Sequence, residues 1–94
     1  IAHMACAYNL PVSMHDATRP LTLLAGLHVL AAVPNGFYQE TMRAQIQGVY
    51  KELIDLDVRI QDGCLAVPRG PGLGARINPD VFKPDAPGYR KSSI

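Results

Sequence analysis

Short apolar runs and longer apolar stretches alternate along the first half of the chain, separated by polar tips. Residues 1–8 carry Ile1, Met4, Ala5 and Tyr8 at helical spacing, and Asn9 follows where a helix end often turns left-handed. Leu10-Pro11-Val12-Ser13-Met14 is too short for a helix and apolar enough for a buried parallel strand. Residues 19–33 then read as a helix that is apolar nearly all round, with Leu21, Leu23, Leu24, Leu27, Val29 and Leu30. Asp16 or Thr18 is its expected cap, Pro20 fits its first turn, and Pro34-Asn35-Gly36 ends it. Phe37-Tyr38-Gln39 is the second strand. The spacing is that of a β-α-β unit.

From residue 41 to 54 the pattern turns amphipathic. Met42, Ile46, Val49, Tyr50 and Leu53 form one stripe, with Arg43, Gln47, Lys51 and Glu52 outside it. Residues 58–67 alternate around Asp62-Gly63, a strong hairpin signal. Beyond Pro68 the chain reads as loop, with a structural turn at 71–74 and a polar, proline-bearing tail at 83–94 expected to be mobile. The 71–74 turn resembles a phosphate loop only superficially, since no Lys-Ser/Thr follows it. The chain thus divides into 1–57, with the β/α units, 58–82, with hairpin and turn, and the tail 83–94.

This pattern raises a physical objection. Parallel sheets need both faces buried, and two parallel strands do not suffice for an independent sheet. Either the chain self-associates extensively or it belongs to a larger fold. The larger fold is favoured, because the chain opens at Ile1 within a helical pattern.

Composition narrows the classes. The 94 residues are 48% hydrophobic with a net charge of +1, and the charges are scattered, so no nucleic-acid footprint exists. Residues 21–33 fall short of the roughly 20 apolar residues that a membrane span needs. Cys6 and Cys64 each lie in an apolar stretch and read as small buried thiols rather than a disulfide. A soluble, cytoplasmic protein is expected.

His15 and Glu40 follow the carboxyl ends of the two strands, and in α/β barrels those ends form the catalytic face. The bland alternatives are a loop histidine and a carboxylate favoured by a helix start. His28, in mid-helix on an apolar surface, is expected to be packed and hydrogen-bonded, and His3 incidental.

The order of helix, PVSMHD, helix with LHVLAAVPN, Glu40 and DGCLAVPRGPGLG resembles the C-terminal third of the mandelate racemase and muconate lactonizing enzyme family, in the enolase superfamily. Four pieces match in order: residues 12–15, 27–35, Glu40 and 62–74. The resemblance extends over roughly residues 1–78. It implies an α/β fold, the last two strands and helices of a modified TIM-type (β/α)7β barrel, with a hairpin and tail returning towards a capping domain. It also implies a racemase, epimerase or acid-sugar dehydratase that uses Mg²⁺ to abstract the proton α to a carboxylate, with a small carboxylate as substrate.

By this resemblance His15 matches the seventh-strand histidine and Glu40 the eighth-strand carboxylate. A histidine is the natural base near neutral pH. A metal and nearby donors must stabilise the developing oxyanion. A protonated Glu40 could donate to that charge. The family's three metal-binding carboxylates, its second-strand lysine and the histidine's acidic partner match nothing in these residues. The segment alone is therefore expected to hold no Mg²⁺ and to be inactive, with the remainder of the barrel and the cap as its partners. The alternative is a standalone module that self-associates through residues 21–33.

Overall fold

The computed structural model describes residues 1–16 and 19–92. Helix α1 (Ala2–Ala7) ends as the sequence predicts. Asn9 adopts a left-handed φ of 55°. The Asn9 amide donates to the Cys6 carbonyl at 3.0 Å and the Leu10 amide to the Ala5 carbonyl at 2.9 Å. That pair of bonds satisfies carbonyls left open by the last turn and redirects the chain into strand β1 (Val12–Met14).

Helix α2 (Pro20–Ala32) connects β1 to strand β2 (Gly36–Gln39). Both ends of α2 are set by proline. Arg19 precedes Pro20 and Val33 precedes Pro34, and each is extended, at φ −153°, ψ 151° and φ −116°, ψ 141°. A residue before proline is driven out of the α region by the ring, so the helix begins and stops there. Among the described residues no side-chain hydrogen bond caps the N-terminus. The expectation that Asp16 caps this helix is therefore wrong: its carboxylate is fully buried and engaged elsewhere. The alternative cap, Thr18, lies outside the described residues.

β1 and β2 pair in parallel, with Val12 opposite Gly36 and Met14 opposite Gln39. Two steps on β1 face three on β2, so the register shifts between those pairs. The backbone pairing continues past β2, where the Glu40 amide donates to the Met14 carbonyl at 3.0 Å. This extra bond sets the two strand ends side by side.

The single amphipathic helix expected over 41–54 is two short ones, α3 (Arg43–Gln47) and α4 (Val49–Leu53), broken at Gly48 with φ −109° and ψ −110°. Glycine weakens a helix interior because nothing restricts its backbone. A Cβ at this position would also meet the Ala44 carbonyl oxygen at 2.9 Å. The break divides the expected stripe. Ile46 and Tyr50 are buried, Leu53 is half-buried, and Met42 and Val49 are exposed.

The core joins Leu23, Leu24 and Leu27 of α2 to Ile46, Tyr50, Ile54 and Val58. Leu56, Leu65, Val67, Leu73 and Ala75 pack against its margin. The hairpin of β3 (Ile60–Gln61) and β4 (Cys64–Leu65) forms as expected, with positive φ at both Asp62 and Gly63. Two positive φ values give the turn a twist that matches the strands. Cys6 is half-buried but Cys64 is exposed, and both thiols are free. Cys64 corrects the expectation of a buried thiol: the two-residue strand has no covering layer on that side.

Residues beyond the hairpin are less loop-like than their composition indicates. Ile77 bridges antiparallel to Ile54, and Asn78 donates from its amide to the Leu53 carbonyl at 2.8 Å. A 3₁₀ turn (Pro79–Phe82) follows, capped by the Asn78 side chain. At the 71–74 turn the Gly74 amide donates to the Pro71 carbonyl. Gly74 has φ 81°, and a Cβ there would lie 2.3 Å from Pro68 Cβ. The turn is structural, as expected. His28 meets the Leu73 carbonyl at 3.3 Å through Nε2, half-buried, in the packed role its setting predicts.

Candidate functional site

Met14 ends β1 and Gln39 ends β2, so the next residue of each, His15 and Glu40, emerges at the same edge. His15 Nδ1 lies 2.5 Å from Glu40 Oε2. The Asp16 backbone N–H points at the same oxygen at 3.4 Å, and an N–H can only donate. With Glu40 as a carboxylate, its Oε2 accepts from both, and His15 Nδ1–H is the donor. In the neutral ring Nε2 is then the unprotonated nitrogen, able to take a proton. The Gln39 side-chain amide steadies this edge, donating to the Met14 carbonyl at 3.1 Å and the Glu40 carbonyl at 2.8 Å.

The pair is open to solvent, the two side chains being 71% and 52% exposed. A contact that exposed adds little stability. Its consequence is orientation of the imidazole.

Beneath the pair lies a polar cluster that the sequence reading missed. Asp16 is fully buried. Its Oδ1 accepts from the Tyr50 hydroxyl at 2.6 Å and its Oδ2 from the Thr41 hydroxyl at 3.1 Å. Gln45 Oε1 lies 2.7 Å from the same tyrosine oxygen. The available signal was Tyr50 itself: a phenol on an apolar stripe brings its hydroxyl into the core, where it must find a partner.

Burial, and then the hydrogen bond and charge of Asp16, hold the Tyr50 phenol well above the ordinary tyrosine range, against a smaller opposing effect of Arg19. The sign for stability follows. Below about pH 10 the phenol is protonated in both folded and unfolded chains, and the stabilisation is fully present. Above that the unfolded chain loses the proton first, so stability falls as pH rises. Urea midpoints measured from about pH 9 to about pH 11 should fall more steeply for the native sequence than for Tyr50→Phe. Equal slopes would contradict the buried phenol.

Among the described residues no group of three His, Cys, Asp or Glu side chains could hold a metal ion. His15 and Glu40 alone do not make the oxygen-rich octahedral shell that Mg²⁺ demands. No helix of the described residues is long and apolar enough to cross a membrane.

The family model described as enolase C-terminal domain-like matches residues 1–81. D-xylonate dehydratase of Haloferax volcanii is 36% identical over 83 residues, covering 88% of this chain and 20% of that protein. D-galactonate dehydratase of Xanthomonas campestris is 37% identical over 92 residues, covering 88% of this chain and 23% of that protein. Among solved structures, an enolase of the mandelate racemase subgroup from Agrobacterium tumefaciens superposes with a TM-score of 0.78 at 38% identity, covering 85% of this chain and 22% of that one. An enolase protein from Sargasso Sea environmental sequencing gives a TM-score of 0.78 at 36% identity, covering 89% and 22%. The chain spans about a fifth of the length of these relatives.

Proposed function

This chain belongs to the enolase C-terminal domain-like family, and on that premise we propose that it supplies the last two β/α units of a barrel enzyme that dehydrates a sugar acid. The observation that carries the reading is the His15–Glu40 contact at the ends of two adjacent parallel strands. The dehydratases among the relatives support the substrate class.

The packing supports a larger fold. Phe37 and Tyr38 on β2 are 66% and 61% exposed, on a parallel strand that physical chemistry expects to be covered. The radius of gyration is 15.4 Å, against about 12 Å for a self-contained domain of this length. The remaining strands would cover β1 and β2, and a capping domain would close over the mouth.

In that setting His15 Nε2 faces the substrate carbon next to the carboxylate and removes its proton. Glu40 holds Nδ1–H and stabilises the imidazolium that forms. Elimination completes the step: the α C–H bond breaks, its electrons form the double bond, and the hydroxyl on the neighbouring carbon takes the proton from the His15 imidazolium and leaves as water, which returns the ring to its neutral form. The enol so formed becomes an α-keto acid. Mg²⁺, held by residues outside this segment, would supply charge stabilisation for the enediolate. The segment alone turns over nothing.

The test is α-keto acid release by the complete enzyme from D-xylonate, D-gluconate, arabinonate and D-galactonate. Release from at least one of them is expected. Exchange of the α proton without release would replace dehydration by racemisation or epimerisation.

A further inference from the structure

The reading of His15 and Glu40 leaves one buried group without a role. Asp16 has no exposed surface, yet it carries a carboxylate into the core margin. Burying a charge is costly unless it is hydrogen-bonded, and apolar replacements of buried charged groups are often neutral or stabilising. Stability is thus a poor account of why a carboxylate stands there. Helix capping is no account either, since both oxygens of the Asp16 carboxylate are taken by Thr41 and Tyr50.

The connections of Asp16 are more telling than its burial. It follows His15 directly in the chain, and its Oδ2 accepts from Thr41, which follows Glu40 directly. Its own N–H points at the Glu40 carboxylate. Its Oδ1 accepts from Tyr50, whose ring is fixed in the core beside Ile46 and Ile54. One carboxylate therefore ties together the segment that carries His15, the segment that carries Glu40, and the helix beneath both. The backbone bond from Glu40 to Met14 brings the strand ends together. It leaves the direction of the two side chains free, and the buried carboxylate removes that freedom.

We propose that Asp16 is a positioning residue, which through Thr41 and Tyr50 fixes the relative placement of His15 and Glu40 without touching substrate. This rests on the reading of His15 as the proton-transfer group. A misplacement of about 1 Å in such a pair costs on the order of a hundredfold in rate.

The experiment uses the complete enzyme with Asp16→Asn, Thr41→Val and Thr41→Ser, measuring kcat, KM and the NMR signals of the isotope-labelled His15 ring without substrate. Thr41→Val keeps the shape and loses the hydroxyl, whereas Thr41→Ser keeps the hydroxyl. Asp16→Asn and Thr41→Val should lower kcat by roughly ten- to a hundredfold with KM little changed. Thr41→Ser should stay within about twofold of the native enzyme. The His15 ring should give one set of signals in the native enzyme and in Thr41→Ser, and broadened or multiple sets in the other two variants. If Asp16→Asn does not fold, the Thr41 pair decides alone. Unchanged kcat in Thr41→Val, or a loss in Thr41→Ser as large as in Thr41→Val, would overturn the proposal, as would unchanged ring signals. The assignment of His15 is checked separately by His15→Asn. Should that variant keep full activity while the ring still responds to Asp16→Asn, the proton-transfer role fails and the positioning link stands.

Discussion

His15→Asn in the complete enzyme should lower turnover by roughly 10²–10⁴-fold, the usual loss when a positioned acid-base group is removed. Asparagine is close to histidine in size and can still donate an amide proton towards Glu40. It offers no nitrogen that can bind and release a proton near neutral pH. Binding should suffer little, so the loss should fall on kcat, with KM changed much less. Glu40→Gln should be milder. The amide oxygen can still accept from His15 Nδ1–H, but the negative charge that stabilises the imidazolium is gone. Steady-state assay of α-keto acid release measures both variants. Native turnover in His15→Asn would leave the histidine a solvent-exposed strand-end residue.

The largest effect on stability should come from the core of α2. Leu24 is fully buried among Leu27, Tyr50, Ile54 and Val58. Leu24→Ala removes its methyl groups and leaves a cavity, because neighbours on two helices and a loop cannot all close in. Such changes cost about 2–5 kcal/mol. In the complete protein the loss is read as faster amide exchange along α2, by tens to thousands of fold where opening limits exchange. The exposed helical position Glu52→Ala should leave those amides unaffected. Equal exchange in Leu24→Ala and the native protein would mean that α2 is held by contacts other than this core.

How much of this was legible in the sequence depends on the distance over which each feature is decided. The left-handed turn at Asn9, the prolines bounding α2 and the Asp62-Gly63 hairpin are local, and each formed where its residues indicate. The β-α-β unit was legible because two short apolar runs flank a long one, and that pattern brought His15 and Glu40 to one edge. Their contact depends on more: the shifted register and the Glu40-to-Met14 bond, which no periodicity encodes. The break at Gly48 was hidden because the stripe of Ile46, Tyr50 and Leu53 continues across it. From its place shortly before Pro20, Asp16 has the sequence position of a cap. Its real partner, Tyr50, lies 34 residues further on, and only the docking of α4 beneath the strand ends reveals it. The bridge from Ile54 to Ile77 is likewise a pairing between segments that show no strand signal of their own.

The most direct measurement runs the dehydration by the complete enzyme in deuterium oxide and follows substrate and product by NMR. Removal of the α proton followed by loss of the neighbouring hydroxyl gives an enol that takes up a proton from solvent. The expected result is an α-keto acid carrying deuterium on the carbon that lost the hydroxyl, with label uptake and product formation both lost in His15→Asn. Substrate recovered with deuterium at its α carbon and no keto acid formed, or unchanged labelling in His15→Asn, would contradict it.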